Sequence, residues 1–282
     1  MDLAESLREE VARFVRESPL NRQRDGEGPY FDAPLVGFAA VSDPLFREYK
    51  TIIGEFHWTP REAFEAAHGT DTCPRGTVVS WVLPVTRETR ASNRAEEAFP
   101  SRRWAHTRDS GERFNDGLRR HVVEFIGEHG HRAAAPVLLT GWRALRDSPV
   151  GLASVWSERH AAYAAGLGTF SLNDGLITPR GIAHRLGSVV TDAVVPPSER
   201  PDRDYRANCL TCRGDECGVC IGRCPAGAIS VAGHDKERCR QYSYEVVLEK
   251  LGKEYEVEVT GCGLCQTGVP CESRIPRARS AR

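Results

Sequence analysis

Cysteine is nearly absent from most of this sequence: of ten in 282 residues, only Cys73 precedes residue 209. Apolar runs are short, and none approaches the ~20 residues of a membrane span. The opening ten residues, Met1-Asp2-Leu3-Ala4-Glu5-Ser6-Leu7-Arg8-Glu9-Glu10, are charged and carry no apolar signal core. They set the expectation of a reducing cytoplasm and argue against a disulfide framework. Net charge is also close to nil, −1 from 38 Lys and Arg against 39 Asp and Glu, so no global field draws the chain to nucleic acid. Arg102-Arg103, Arg119-Arg120 and the closing stretch from Arg274 to Arg282 are locally basic and read as solvated surface. There is no internal repeat and no low-complexity segment.

What is present is an ordinary globular composition, 40% hydrophobic and 27% charged, with a division expected near residue 200. Leu3, Leu7, Val11 and Phe14 recur at helical spacing. Pro34 to Val41, Thr77 to Leu83 and Leu186 to Val195 read as buried strands, and Glu112 to His129 as a helix with Leu118, Val122, Phe125 and Ile126 on one face. Asn173 to Arg185 reads as loop. In Trp156 to Phe170 the alanines 161, 162, 164 and 165 favour a small-sided helix that Gly166 or Gly168 ends, leaving room for a flat ligand. Glu158, Arg159, His160 and Tyr163 place proton donors and anion-binding groups within about one turn, with Arg159 and Tyr163 on one face. The competing reading is a helix packed through its alanines with a surface charge cluster. Gly166-Leu167-Gly168 lacks the third glycine and preceding strand of a dinucleotide fold.

The last quarter holds Cys209, Cys212, Cys217, Cys220, Cys224, Cys239, Cys262, Cys265 and Cys271. Cys217, Cys220 and Cys224 stand at x2 and x3 spacings with Pro225 directly after. That is close to the end of the two-cluster ferredoxin run, whose last cysteine ligates the neighbouring [4Fe–4S] cluster. Gly261-Cys262-Gly263-Leu264-Cys265, followed by Pro270-Cys271, complements it. Two cubanes take about eight thiolates, so the tail has one to spare. Gly218, Gly227, Gly261 and Gly263 suit loops that wrap a cluster and aim N–H groups at its sulfurs. Zinc ribbons also pair Cys-x-x-Cys groups, but four ligands per ion suit these two triplets less well. Cys73, outside any motif, reads as an ordinary thiol.

Trp156 to Val190, the cysteine tail with Gly233-His234-Asp235-Lys236-Glu237-Arg238-Cys239, and the segments Pro34-Leu35-Val36-Gly37-Phe38-Ala39, Asp43-Pro44-Leu45-Phe46 and Cys265-Gln266-Thr267-Gly268-Val269-Pro270-Cys271-Glu272 resemble the epoxyqueuosine reductase family and its less characterised relatives. The resemblance implies an α+β chain: a mixed α/β, nitroreductase-like, corrinoid-binding domain over 1–200, then a small ferredoxin-like domain over 201–282 with two [4Fe–4S] clusters. It implies that Cys224, Cys239, Cys262 and Cys265 hold one cluster. Cys217, Cys220 and Cys271 would hold the other with Cys209 or Cys212, and Asn208-Cys209-Leu210 favours Cys209. Glu158, Arg159, His160 and Tyr163 become catalytic candidates, and Gly166, Leu167 and Gly168 cofactor-binding candidates. The implied activity passes electrons from a low-potential donor, a ferredoxin or flavodoxin, through the clusters to a cobalamin. The cobalamin then reduces a small molecule or modified nucleoside by epoxide deoxygenation or a similar cleavage, and the C-terminal arginines offer a contact for tRNA or an acidic redox partner.

Two departures bear on the substrate. Leu152 stands where the tRNA enzymes carry an acidic proton donor, with Asp147 five residues earlier, so Glu158, His160 and Tyr163 compete for that role. The sequence also ends 11 residues after Cys271, leaving no room for the helical-repeat extension that grips tRNA in some members. The alternative functions are an electron-transfer or corrinoid-activating iron–sulfur protein without its own small substrate, and a zinc-binding interaction module.

Overall fold

The computed structural model of the protein describes residues 2–69, 75–202 and 204–278, so Cys73, Arg279 and Arg282 lie outside the described residues. Helix α1 (Leu3–Glu17) begins where Asp2 accepts the Glu5 N–H at 2.8 Å and buries Leu7, Val11 and Val15 along one stripe. Strand β1 (Leu35–Ala40) is followed by α2 (Leu45–Ile53), by α3 (Pro60–His68), which opens on a Thr59–Glu62 capping box, and by β2 (Thr77–Pro84). Next come α4 (Arg87–Arg94), α5 (Arg102–Glu128), β3 (Ala133–Ala134), the hairpin of β4 (Ala144–Ser148) and β5 (Gly151–Ser154), and α6 (Glu158–Ala164). Short strands β6 (Thr169–Phe170) and β7 (Leu176–Ile177) precede the long β8 (His184–Thr191). The tail contains the turn α7 (Val219–Gly222), strands β9 (Ile229–Ser230) and β10 (Gly233–His234), α8 (Lys236–Arg240), a π-helical turn Gln241–Val246 and α9 (Val247–Tyr255).

Strands β1, β2, β8 and β3 pair antiparallel in that order. Successive side chains of β2 take opposite faces: Val79, Trp81 and Leu83 enter the core beneath α1 and α5, while Val78 and Val82 enter the core beneath α2, α3 and α6. Helices therefore cover both faces of the sheet in a mixed α/β sandwich. Ala161, Ala162 and Ala164 of α6 and the Ala165 that follows lie in the second of these cores, as the competing reading of a helix packed through its alanines expects. Helix α5 begins ten residues before the expected Glu112, because Ser101 caps it by accepting the Trp104 N–H at 3.2 Å. Gly111 sits within the helix where the Phe31 ring occupies the place of a side chain; an added Cβ would lie 2.9 Å from it. Strand β8 starts two residues earlier than expected and ends at Thr191.

Arg119 corrects the reading of the basic pairs as solvated surface. It is 1% exposed and reaches Glu112 at 2.9 Å, Asp116 at 2.6 Å and Glu158 at 3.0 Å, while donating to the Leu186 carbonyl at 3.0 Å. A guanidinium taken out of water in this way is tolerated because its donors are matched by acceptors. A third, smaller core joins the two halves of the sequence, with Leu172, Ile177 and Ile182 from one side of residue 200 and Cys209, Ile229 and Val269 from the other.

Candidate functional site

The tail cysteines gather around that third core, where Cys212, Cys220, Cys224, Cys265 and Cys271 pack against its apolar side chains. Asn208 ties the first of them down, its N–H donating to Thr169 Oγ1 and its side-chain amide to the Ile177 carbonyl, both at 2.8 Å. Arg223 donates to the carbonyls of Glu96 at 2.8 Å and Thr267 at 3.0 Å, which fixes Cys224 against the loop carrying Cys262 and Cys265. Glu272, 5% exposed, accepts the Gly268 N–H at 2.7 Å and pairs with Arg94, while the Ile182 N–H donates to the Cys271 carbonyl at 2.9 Å.

The thiols fall into two groups according to which neighbours act on each. Burial pushes Cys262 up to about 12, with Cys239 and Cys224 adding to the rise. Cys265 is raised by burial, then by Cys262, Cys239 and Cys224, and least by Cys220. Burial raises Cys220 to about 11 and Cys271 to about 12, and here the neighbouring sulfurs include Cys209 and Cys217. Cys212, also raised to about 12 by burial, hydrogen-bonds with Cys209. Cys224, Cys239, Cys262 and Cys265 thus line one cavity, while Cys209, Cys217 and Cys220 act on Cys271 and Cys212 adjoins Cys209. Thiols that disfavour one another's ionisation form a donor set that a bound polycation relieves, with release of protons. Backbone N–H groups already face sulfur, that of Ala228 lying 3.3 Å from Cys224 Sγ. Among the described residues no three His, Cys, Asp or Glu side chains meet closely enough to hold a single metal ion.

A cavity of about 190 Å³ is enclosed by the first group itself, lined by Cys224, Cys239, Cys262 and Cys265 and by Trp104, Arg108, Arg159, His184, Arg185 and Tyr244 among others. Arg185 Nε donates to Glu112 Oε2 at 2.8 Å. Burial alone would raise the Glu112 carboxyl, but Arg185 and Arg119 hold it well below the carboxylate range. His184 donates to the Leu176 carbonyl at 2.7 Å and is kept neutral by burial, which lowers it to about 4. Burial also opposes ionisation of Tyr244, yet the charges of Arg108 and Arg185 outweigh it and bring the phenol below its ordinary value. His234 faces Asp174 Oδ2 at 3.2 Å; burial lowers it, but hydrogen bonds to Asp174 and Cys239 prevail and push it up to about 9.

Of the four catalytic candidates on α6, only Arg159 lines this cavity. Glu158 points into the Arg119 network and accepts the Ser188 hydroxyl. His160 Nδ1 lies 2.8 Å from Ser157 Oγ and its ring packs 4.7 Å from Tyr49, and Tyr163 packs 5.8 Å from Phe170. Gly166, Leu167 and Gly168 sit where chain segments close on one another. An added Cβ on Gly166 would stand 2.2 Å from the Glu199 carbonyl and one on Gly168 2.4 Å from that of Ile177, and Leu167 belongs to the core beneath α6. Leu152 and Asp147 lie in the β4–β5 hairpin, away from the cavity lining. Sequence reading missed Arg108, Arg185 and Tyr244, which share no motif and meet only through α5, β8 and the π-helical turn.

The cysteine groups fit iron–sulfur clusters in number, in softness and in their N–H surroundings. The cavity among Cys224, Cys239, Cys262 and Cys265 is of a size for a cluster and, at about 190 Å³, does not fit a corrinoid as well, since sites for even drug-sized ligands run to about 300–1,000 Å³. No step below passes through cobalt. Gly263 gives the cluster loop a steric test, because its φ is 62° and an added Cβ would stand 2.1 Å from the Trp104 indole. Gly263→Ala is expected to lower the iron that the reconstituted chain binds although no cysteine is lost. Gly214→Ala, at φ 91° with nothing within 4 Å, should keep all of it.

No protein-family model matches the chain. Over 123 residues, 40% of the chain, it is 31% identical to an epoxyqueuosine reductase of Bacillus cereus, and 29% identical to one of Bacillus anthracis. These matches span 29% of the length of each relative. The fold aligns with a solved epoxyqueuosine reductase from Streptococcus thermophilus at a TM-score of 0.53 and 14% identity, covering 100% of this chain and 69% of that one. It also aligns with a catabolic reductive dehalogenase solved with 3-bromo-4-hydroxybenzoic acid, at a TM-score of 0.52 and 14% identity over 96% of this chain and 37% of that one. In sequence over two fifths of its length, and in fold throughout, the chain is thus similar to epoxyqueuosine reductases, and its fold extends the likeness to a reductive dehalogenase.

Proposed function

We propose that the chain is an iron–sulfur reductase that carries low-potential electrons through two [4Fe–4S] clusters to a substrate held beside the Cys224, Cys239, Cys262 and Cys265 group. The observation that carries this reading is the sorting of the tail cysteines into two groups, one of which lines a cavity. Bound clusters supply single electrons. The protein's part is to hold them: the third core excludes water between the groups, and Arg223 and Glu272 clamp the ligand loops to α4. Cys209 is the favoured fourth ligand of the outer group, because it acts on both Cys220 and Cys271, whereas Cys212 adjoins Cys209 and Cys220 and is not among the neighbours that act on Cys271.

The enzyme reading outweighs a simple electron carrier because a carrier needs only the cysteine tail and has no use for the α/β sandwich of β1, β2, β8 and β3 that precedes it. Cobalamin, implied by the family resemblance, enters this proposal only as a group for which the cavity walls would have to part. A ferredoxin or flavodoxin is the proposed donor, and a modified nucleoside, free or in tRNA, remains within the substrate range of the relatives' names. Anaerobic reconstitution with iron, sulfide and hydroxocobalamin, followed by metal analysis of the gel-filtered chain, tests the reading. About eight irons per chain, reducible by dithionite, are expected; zinc alone would sink it. Cobalt at one per chain would show that the walls do part.

A further inference from the structure

We propose that Arg108 and Arg223, with a smaller share from Arg159, raise the reduction potential of the inner cluster above that of the outer one, so that an electron arriving at the outer group passes on to the group walled by α5 and β8. The inference rests on the reductase reading and adds the direction in which its electrons run. Arg108 lines the inner cavity and packs along Gly261 beside Cys262, where an added Cβ would lie 3.1 Å from its Cγ; its guanidinium lies 5.7 Å from the Tyr244 ring centroid. Arg223, next to Cys224, is held by carbonyls: it donates to those of Glu96 at 2.8 Å, Thr267 at 3.0 Å, and Leu264 and Asn93 at 3.3 Å. Arg159 lines the cavity but is exposed, and donates to the Asp174 carbonyl at 3.1 Å. None of these three forms an ion pair with a carboxylate of the described residues. Arg185, the fourth guanidinium at the cavity, is matched by Glu112, its Nε 2.8 Å from the carboxylate.

A cluster on four thiolates is an anion and reduction adds one more negative charge, so fixed positive charge nearby favours the reduced form and lifts the potential. A guanidinium paired with a carboxylate contributes little net charge, whereas one held by neutral carbonyls contributes all of it. The thiols register this: burial opposes ionisation of Cys262 and Cys239, and against it Arg223 favours the Cys262 thiolate and Arg159 that of Cys239. The outer group differs. After burial, other sulfurs and backbone N–H groups lead the influences on Cys220 and Cys271. Arg213 is committed to Asp215 at 2.5 Å, and Arg206 acts on Cys212, which stands outside the proposed ligand set. Water at the exposed Cys217 also steadies a reduced cluster, and it makes the outer group the one a donor reaches. The arginines outweigh that water, because full charges fixed in a half-buried pocket are little screened, while Cys217 is the one exposed thiol of the outer four.

The test uses the full chain loaded with iron and sulfide, poised anaerobically with dithionite and followed by EPR. Cys220→Ala, which keeps the inner ligands, and Cys224→Ala, which keeps the outer ones, assign the two signals. The inner midpoint is expected to lie above the outer by at least about 59 mV, a tenfold difference in occupancy for one electron. Arg108→Gln should lower the inner midpoint and leave the outer where it was, and Arg108→Lys should restore most of the loss. Arg159→Gln should give a smaller drop, because exposed charge is screened. Arg223 is left intact because it also clamps the ligand loops. Equal midpoints, a higher outer midpoint, or an inner midpoint unmoved by Arg108→Gln would each overturn the gradient and leave the reductase reading standing. Loss of iron in Arg108→Gln would also overturn it, by showing that this arginine holds the cluster loop in place; the comparison of midpoints in the unaltered chain does not depend on that variant. Failure of the unaltered chain to take up iron sinks the reductase reading and this inference with it, and iron analysis identifies that case before any titration.

Discussion

Alanine at Cys220 and alanine at Cys224 are expected to destroy different clusters, although the two residues are four apart and belong to one sequence motif. Cys220 has Cys209 and Cys217 as neighbours, while Cys224 acts on Cys262 and Cys265. The crossing is reciprocal, since Cys271 follows the second motif yet has Cys220, Cys209 and Cys217 around it. Each single variant should keep about four of about eight irons. The doubles separate the two groups, because ligands of one cluster act as a unit and their losses do not add. Cys224→Ala with Cys265→Ala should still hold about four irons, whereas Cys220→Ala with Cys224→Ala should hold almost none. EPR of the reduced single variants should show two different spectra that sum to that of the parent. Cys212→Ser should change neither iron nor spectrum if Cys209 is the fourth ligand. A Cys224/Cys265 double variant stripped of iron would refute the grouping.

The sequence made the fold legible where one physical rule acted alone. Two-sided burial makes β2 apolar throughout, and the alanines of α6 signal close packing on the sheet. It misled where two rules competed. The helix read from Glu112 starts ten residues earlier at its cap on Ser101, and it carries Gly111 where the Phe31 ring takes the space that a side chain would fill. Arg119-Arg120 looked like surface because charge usually is, and only the carboxylates of Glu112, Asp116 and Glu158, scattered along 47 residues of sequence, make burial affordable.

The candidate site divides in the same way. The cysteines announce themselves because a cluster demands a rare residue type at tight spacing. Arg108, Arg185 and Tyr244, which line the same cavity, do not, because they come from three separate elements and arginine and tyrosine are common. The α6 candidates were drawn from one helical turn, but a helix shows opposite faces to opposite neighbours. Arg159 faces the cavity while Glu158 is committed to Arg119.

The chain is expected to lose stability steeply as pH falls from about 6.5 towards 4, well before carboxylate titration would unfold it. Three histidines are held neutral inside. Burial lowers His57 to about 4, and lowers His184 to about 4 and His160 to about 3, against an ordinary value of 6.5. For each, the unfolded chain takes up a proton first, so the stabilisation is intact above pH 6.5 and is lost as pH drops towards the folded value. Each contributes a slope of up to about 1.4 kcal/mol per pH unit in that window, so the three together approach about 4 kcal/mol per unit near pH 5. His57 tests the cause. It is 2% exposed, Nδ1 lies 3.1 Å from the Trp58 carbonyl, and Nε2 is buried without a partner. His57→Leu removes that orphaned nitrogen together with its proton, and should reduce the pH slope of the urea midpoint by about a third while leaving iron content intact. Acid loss of the clusters would also destabilise the chain, but it would leave the His57→Leu slope equal to that of the parent, because His57 packs against Tyr49 and Trp156 beneath the sheet, apart from the cysteine core.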